Sequence, residues 1–75
     1  MTPYANLNGN SGVARYDVTA ESITVEFSDG SAYLYDYNHT GRGAVDAMKQ
    51  FAVSGRGLNG YISRFVKTRY ARKLR

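Results

Sequence analysis

Three stretches in the first half of the chain carry the hydrophobic pattern of short β-strands. In residues 22–28 every second position is apolar, and in residues 31–37 every second position is tyrosine, whereas residues 13–18 suit a shorter strand. Period-two alternation places successive side chains on opposite faces of a sheet. Asp29-Gly30 between the last two stretches is a strong hairpin signal. The pattern therefore predicts a three-stranded antiparallel meander.

The hairpin allows two registers with opposite consequences for the tyrosines. A two-residue Asp-Gly turn pairs Ser28 with Ser31 and puts Tyr33, Tyr35 and Tyr37 on the open face of the sheet. A three-residue loop with Gly30 as a bulge pairs Phe27 with Ser31 and puts the same tyrosines on the core face. A slip of one residue exchanges the two faces. We favour the bulged register, because it gathers the large apolar side chains under the helices and leaves Thr24, Glu26 and Asp36 in water.

The second half of the chain predicts two helices. The first is capped by Thr40, runs to about Ser54 and stops at Gly55; its expected apolar stripe is Ala44, Ala47, Met48, Phe51 and Ala52. The second starts at about Leu58 after Gly57, with one apolar face made of Leu58, Tyr61, Ile62, Phe65, Val66 and Tyr70.

Beyond Tyr70 the helical pattern fails. Continued as a helix, the chain would place Arg69 and Lys73 on the same side as Leu58 and Ile62, and burying an unpaired charge costs several kcal/mol. The last one or two turns are therefore expected either to leave the body of the domain or to meet an anion.

These elements predict one α+β domain over residues 13–75, a β-β-β-α-α arrangement in which two helices cover one face of the sheet. Residues 1–12 are rich in asparagine, glycine and serine and carry no charge. They are expected to form a flexible N-terminal arm. At 75 residues the chain has room for only one small core.

Charge is distributed unevenly along the chain. Residues 1–40 carry net −4 and residues 41–75 carry net +8, so that the whole chain has net +4. Such asymmetry produces a field that steers polyanions or acidic protein surfaces toward one end.

There is no cysteine, which excludes disulfides, thiolate metal sites and cysteine nucleophiles. With no membrane-length apolar run and no signal-peptide pattern, a cytoplasmic location without membrane contact is expected.

Several of these residues together resemble a known family. The run Tyr16-Asp17, Ile23-x-Val25-x-Phe27, Gly30 and Tyr33-x-Tyr35, followed by Ala52-x-Ser54, Asn59 and Ile62, resembles the KTSC domain. That domain occurs at the C-terminus of some lysyl-tRNA synthetases and as separate bacterial and phage proteins. The likeness spans residues 11–70. Asn38-His39-Thr40-Gly41 departs from the Val-Pro that is usual there. The resemblance implies a β-β-β-α-α fold and suggests RNA binding.

Enzymatic chemistry has little support in the sequence. Gly-Arg-Gly occurs at 41–43 and 55–57 without the spacing of a nucleotide-binding loop. Either copy suits a phosphate clamp at a helix start or a plain turn, and we favour the turn. His39 is the only histidine, and we interpret it as a turn residue. No catalytic residue, metal site or cofactor is predicted.

The expected function is a non-enzymatic nucleic-acid-binding module, with RNA preferred to DNA, that uses a basic C-terminal helix. Phosphate contacts set affinity without reading sequence. The alternative is a protein-interaction module that docks on an acidic partner, such as a phage-encoded inhibitor of a host protein or defence system. The candidate binding residues are Arg42, Arg56, Arg64, Lys67, Arg69, Tyr70, Arg72, Lys73 and Arg75.

Overall fold

The structure, a computed structural model, describes every residue except Asn8 and Asn10. It confirms the α+β class, with a five-stranded antiparallel sheet and two helices. The elements are β1 (Thr2–Pro3), β2 (Val13–Val18), β3 (Ser22–Phe27), β4 (Ala32–Asp36), α1 (Arg42–Ser54), α2 (Leu58–Tyr61, continued by a π-helical turn, Ile62–Val66) and β5 (Arg72–Lys73). The predicted count of three strands is wrong, because a two-residue strand from each end of the chain is added.

The sheet follows chain order, β1-β2-β3-β4-β5, and both helices lie in the connection from β4 to β5. One face of the sheet packs against the helices and forms the core. The core consists of Tyr4, Val13, Ile23, Val25, Tyr35, Val45, Met48, Ala52, Leu58, Ile62 and Val66. Within the part of the chain that the structure describes, no helix is long and apolar enough to span a membrane.

The bulged hairpin register is confirmed. Tyr33 lies opposite Val25 and Tyr35 opposite Ile23, so these tyrosines share the core face. The Phe27 amide donates to the Ser31 carbonyl at 2.7 Å, and Gly30 has φ +93°, a left-handed conformation that favours glycine. Local turn geometry thus decides which face of the sheet carries the aromatic side chains.

Helix α1 begins at Arg42, and its N-cap residue is Gly41, not Thr40 as predicted. Thr40 is buried, and its hydroxyl donates to the carbonyl of Arg69 at 2.6 Å, so it ties the C-terminal segment to the loop after β4. The predicted stop is confirmed, since Gly55 is left-handed with φ +84°. The predicted apolar stripe of α1 omitted Val45, which is fully buried.

The predicted basic C-terminal helix is wrong. The helix ends at Val66, the amide of Lys67 donates to the Ile62 carbonyl at 2.6 Å, and Lys67 then reverses the chain with φ +53°. A longer helix would have carried charge onto the core side, as the sequence indicated. The chain does leave the helical body, but it returns to the sheet.

The free edge of β4 explains where the C-terminal segment goes. The amide of Ala71 donates to the Leu34 carbonyl and that of Leu74 to the Ala32 carbonyl, both at 2.7 Å. Unpaired backbone groups at a sheet edge are costly when shielded from water, and pairing them with the C-terminal segment satisfies them.

The N-terminal residues, in the part that the structure describes, differ from the expected flexible arm. Thr2 and Pro3 pair with Tyr16 and Arg15 at the other edge of the sheet. Tyr4 is buried in the core, and its hydroxyl accepts a hydrogen bond from the Leu58 amide at 3.3 Å. The expectation also covered Asn8 and Asn10, which lie outside the described residues.

Candidate nucleic-acid interface

Strand β5 divides the C-terminal cations between the two faces of the sheet. Directly opposed residues of an antiparallel pair project to the same face. Lys73 lies opposite Tyr33 and therefore shares the face of the tyrosines, whereas Arg72 lies opposite Leu34 on the outer face. The Lys73 ammonium is 5.7 Å from the centroid of the Tyr33 ring, within the range of a cation–π contact.

An open groove of about 330 Å³ lies on the tyrosine face, between the β4–β5 edge and the end of the π-helical turn. We call it the aromatic groove. Its lining combines aromatic rings, two hydroxyl side chains and a lysine, and it contains no acidic residue. The lining residues are Phe27, Ser31, Tyr33, Tyr35, Ile62, Lys67, Thr68 and Tyr70.

The rings of the aromatic groove support one another. Tyr70 lies 4.7 Å from Tyr33 between ring centroids, at an interplanar angle of 49°, and meets Tyr35 edge-on at 6.4 Å. Phe27 meets Tyr33 edge-on at 5.8 Å. Tyr35 is only 2% exposed, and this burial, with smaller effects of Tyr33 and Tyr70, raises the pKa of Tyr35 to about 12. Tyr35 therefore stays a neutral phenol beneath the half-buried Tyr33 and Tyr70.

Lys67 occupies a backbone conformation that L-residues rarely adopt, with φ +53° and ψ −117°. Such a conformation costs about 1–3 kcal/mol and persists only where the surrounding structure imposes it. Glycine would relieve the strain, yet the chain has an exposed lysine here, on the lining of the aromatic groove. Lys67 therefore combines backbone strain with a cationic side chain on the lining of the aromatic groove.

The acidic residues of the domain neutralise only some of its cations. Glu26, expected in water, has a side chain only 10% exposed and accepts hydrogen bonds from both Arg15, at 3.0 Å, and Arg75. Arg42 pairs with Asp46 at 3.8 Å. Within the described part of the chain, no carboxylate lies within 4.0 Å of six other exposed cations: Arg56, Arg64, Lys67, Arg69, Arg72 and Lys73.

The two Gly-Arg-Gly segments lie at opposite ends of α1. Gly41 precedes the helix and Gly55 follows it, so that Arg42 and Arg56 are separated by about 20 Å. They cannot clamp one phosphate together. Arg42 also lies 5.3 Å from the ring of Tyr37. Both arginines lie outside the lining of the aromatic groove.

A second aromatic surface escaped the sequence analysis. Phe65, expected in the core, is 61% exposed. Its ring packs against that of Tyr61, and the Tyr61 ring packs against that of Phe51; the ring centroids are 5.2 Å apart in each pair. Arg64 lines the same surface. Regular α-helical spacing would place Phe65 on the buried side of the helix. The π-helical turn changes that spacing, and no local sequence pattern predicts such a turn.

His39 forms a local turn with Asp36. The His39 amide and its Nδ1 lie 2.8 and 2.9 Å from one carboxylate oxygen of Asp36, and these bonds hold the pKa of Asp36 below its usual value. Among the described residues, no three histidine, aspartate or glutamate side chains are grouped as metal ligands. The groups that do converge are aromatic rings and cations.

Comparisons of the chain with protein-family models, with curated proteins and with solved structures gave no match. The resemblance to the KTSC domain therefore stays a prediction.

Proposed function

We propose that this domain is a non-enzymatic module that binds single-stranded nucleic acid, RNA in preference to DNA. The observation that carries the proposal is that five of the six exposed cations without a carboxylate partner among the described residues lie between positions 64 and 73, close in sequence to the aromatic groove. Cations at a protein surface release condensed counterions when they contact phosphates. Aromatic rings beside such cations are typical of proteins that bind single strands.

The proposed binding surface consists of the edge strand β5 and the segment that leads into it, not of a helix. Lys67, Arg69, Arg72 and Lys73 lie on the segment that crosses from the π-helical turn to β5, and Arg64 lies on that turn. Arg75 is paired with Glu26 and Arg42 with Asp46, so both are left out of the proposed surface. Arg56 has no such partner but follows α1, away from this segment in sequence, and is left out as well. Tyr70 acts through its ring in the aromatic groove.

A salt titration tests this proposal. Binding of a 12-nucleotide single-stranded RNA, of its DNA counterpart and of duplex DNA is measured by fluorescence anisotropy at several salt concentrations. If about five phosphates of a single strand are engaged, log K falls against log salt with a slope of about −3.5. Binding that is independent of salt refutes the proposal, and DNA binding that equals RNA binding refutes the stated preference.

Charge-neutralising variants locate the surface. Deleting residues 69–75 is unsuitable, because it removes β5, the Tyr70 ring and the Thr40 hydrogen bond together. Lys73→Gln and Arg72→Gln each should reduce the magnitude of the slope by about 0.7. Arg42→Gln is the matched control, since that arginine is the first residue of α1, lies outside the lining of the aromatic groove and pairs with Asp46.

One observation favours the alternative, docking on an acidic protein. Phe65 exposes 61% of its surface beside Arg64, and exposed aromatic and arginine side chains are enriched where proteins bind proteins. For this alternative, a stoichiometric protein partner must survive nuclease treatment and be lost on Phe65→Ser. Recovery of RNA instead, unaffected by Phe65→Ser, favours nucleic-acid binding.

A further inference from the structure

The aromatic groove has a chemical character distinct from the cationic surface around it. Tyr35 forms a buried floor, and the half-buried Tyr33 and Tyr70 leave part of each ring accessible beside it. The volume of about 330 Å³ lies at the small end of the range for ligand sites. A flat heteroaromatic ring stacked on tyrosine satisfies such a lining, because its face packs on the rings and its polar edge can reach the hydroxyls, which an aliphatic chain would leave unused.

Cations border the groove, and the Asp29 carboxylate accepts a hydrogen bond from the Ser31 hydroxyl on its lining at 2.7 Å. Lys67 lines it, and the Lys73 ammonium lies over the Tyr33 ring at 5.7 Å. No aspartate or glutamate is among its lining residues. A ligand that fits is therefore planar and aromatic and carries negative charge next to its ring.

Polar groups at the groove suit the edge of a heteroaromatic ring. The hydroxyls of Ser31 and Thr68 lie on the lining; the Thr68 hydroxyl can both donate and accept, whereas the Ser31 hydroxyl donates to Asp29 Oδ1 at 2.7 Å and offers a ligand its lone pairs. Hydroxyl side chains tolerate different bases, since they offer no fixed donor pattern. The groove is thus suited to bind a base without strong selection among the four.

We propose that the aromatic groove binds one unpaired nucleobase of a single-stranded RNA, stacked against Tyr70 and Tyr33, with the neighbouring phosphates on Lys67 and Lys73. This inference rests on the proposed function and adds a site to it. A base in a duplex is stacked between its neighbours and cannot enter without being extruded, so the groove selects single strands. Stacking of one base on aromatic side chains contributes about 1–3 kcal/mol.

The test separates base stacking from phosphate binding. The probes are a 12-nucleotide oligoadenylate and an abasic phosphodiester chain of equal length and charge, measured at one salt concentration. The wild-type protein is expected to bind oligoadenylate roughly 5–100-fold more tightly than the abasic chain. Equal affinity for the two chains overturns the inference and leaves the proposed function intact, whereas binding of neither probe contradicts the proposed function itself.

Matched variants assign the difference to the groove. Tyr70→Leu keeps an apolar side chain but removes the stacking ring, and should lower oligoadenylate affinity to the abasic level without changing the abasic affinity. Tyr61→Leu, which removes a half-buried ring from the second aromatic surface, should change neither. The inference is wrong if Tyr61→Leu abolishes the preference for bases, or if Tyr70→Leu weakens both probes equally.

A measurement on the wild-type protein covers the case in which Tyr70→Leu does not fold. Adenosine monophosphate is titrated while the tyrosine ring resonances are followed by NMR. Stacking in the groove should shift the ring protons of Tyr33 and Tyr70 and leave those of Tyr61 in place. Shifts confined to Tyr61, or no shifts at millimolar nucleotide, contradict the inference.

Discussion

Replacing Lys67 by glycine should stabilise the domain while weakening its binding to nucleic acid. Lys67 has φ +53° and ψ −117° with an exposed side chain, so the substitution removes backbone strain and no core contact. Relief of strain contributes about 1–3 kcal/mol. The greater freedom of glycine in the unfolded chain offsets about 0.4–1 kcal/mol of this gain. The net expectation is a stabilisation of about 1 kcal/mol.

Thermal and chemical denaturation measure this effect. In a domain of this size 1 kcal/mol corresponds to a rise in Tm of about 4–8 °C. Lys67→Ala is the control, because it removes the same charge but keeps the Cβ atom and therefore the strain. Its stability should stay within about 0.5 kcal/mol of the wild type. Both variants should reduce the magnitude of the salt slope by about 0.7, since each loses one phosphate contact.

In the glycine variant, stability rises while the magnitude of the salt slope falls if Lys67 both carries backbone strain and contacts a phosphate. A glycine variant that is less stable than the alanine variant refutes the assignment of strain to Lys67. Unchanged salt dependence in both variants refutes the assignment of a phosphate contact to its side chain.

Two further predictions concern the ion pairs and the buried tyrosine. Glu26→Gln should destabilise the domain by about 1–2 kcal/mol without lowering RNA affinity. The value is modest because both arginine partners of Glu26 are more than half exposed. A Tm equal to that of the exposed control Glu21→Gln would contradict this prediction. The pKa of Tyr35 is raised to about 12, so the stabilisation from its neutral form is complete below about pH 10 and is lost as pH rises toward 12. Denaturant unfolding from pH 9 to 12 should show a shallower loss of stability in Tyr35→Phe than in the control Tyr16→Phe, and identical slopes would refute the prediction.

The sequence by itself determined the central part of the fold, because the signals there are local. Alternation in residues 22–28 and the Asp29-Gly30 turn predicted the hairpin but allowed two registers; the bulged one, which the structure shows, was favoured because it buries the large apolar side chains. Gly55 marked the end of α1 and Gly57 preceded α2 for the same reason, since a left-handed conformation at a helix boundary favours glycine over other residues.

The candidate site was predicted in composition but not in geometry. Uneven charge along the chain singled out the C-terminal cations, and the failure of helical periodicity after Tyr70 indicated that this segment leaves the helix. Its return as β5 depends on hydrogen-bonding groups at the edge of β4, more than thirty residues away in sequence. The hydrophobic pattern of the C-terminal segment cannot show that the edge of β4 is free to pair with it.

Only the tertiary structure decided which cations are neutralised and which border the aromatic groove. Arg75 lies only two residues after Lys73, yet Glu26 pairs with Arg75 across the sheet. Tyr70 lies against Tyr33 because the chain reverses at Lys67, a conformation that no preference of lysine would predict. Strand pairing and ring contacts join residues that are distant along the chain, so their positions follow from the assembled sheet, whereas the alternation and turn signals act within a few residues.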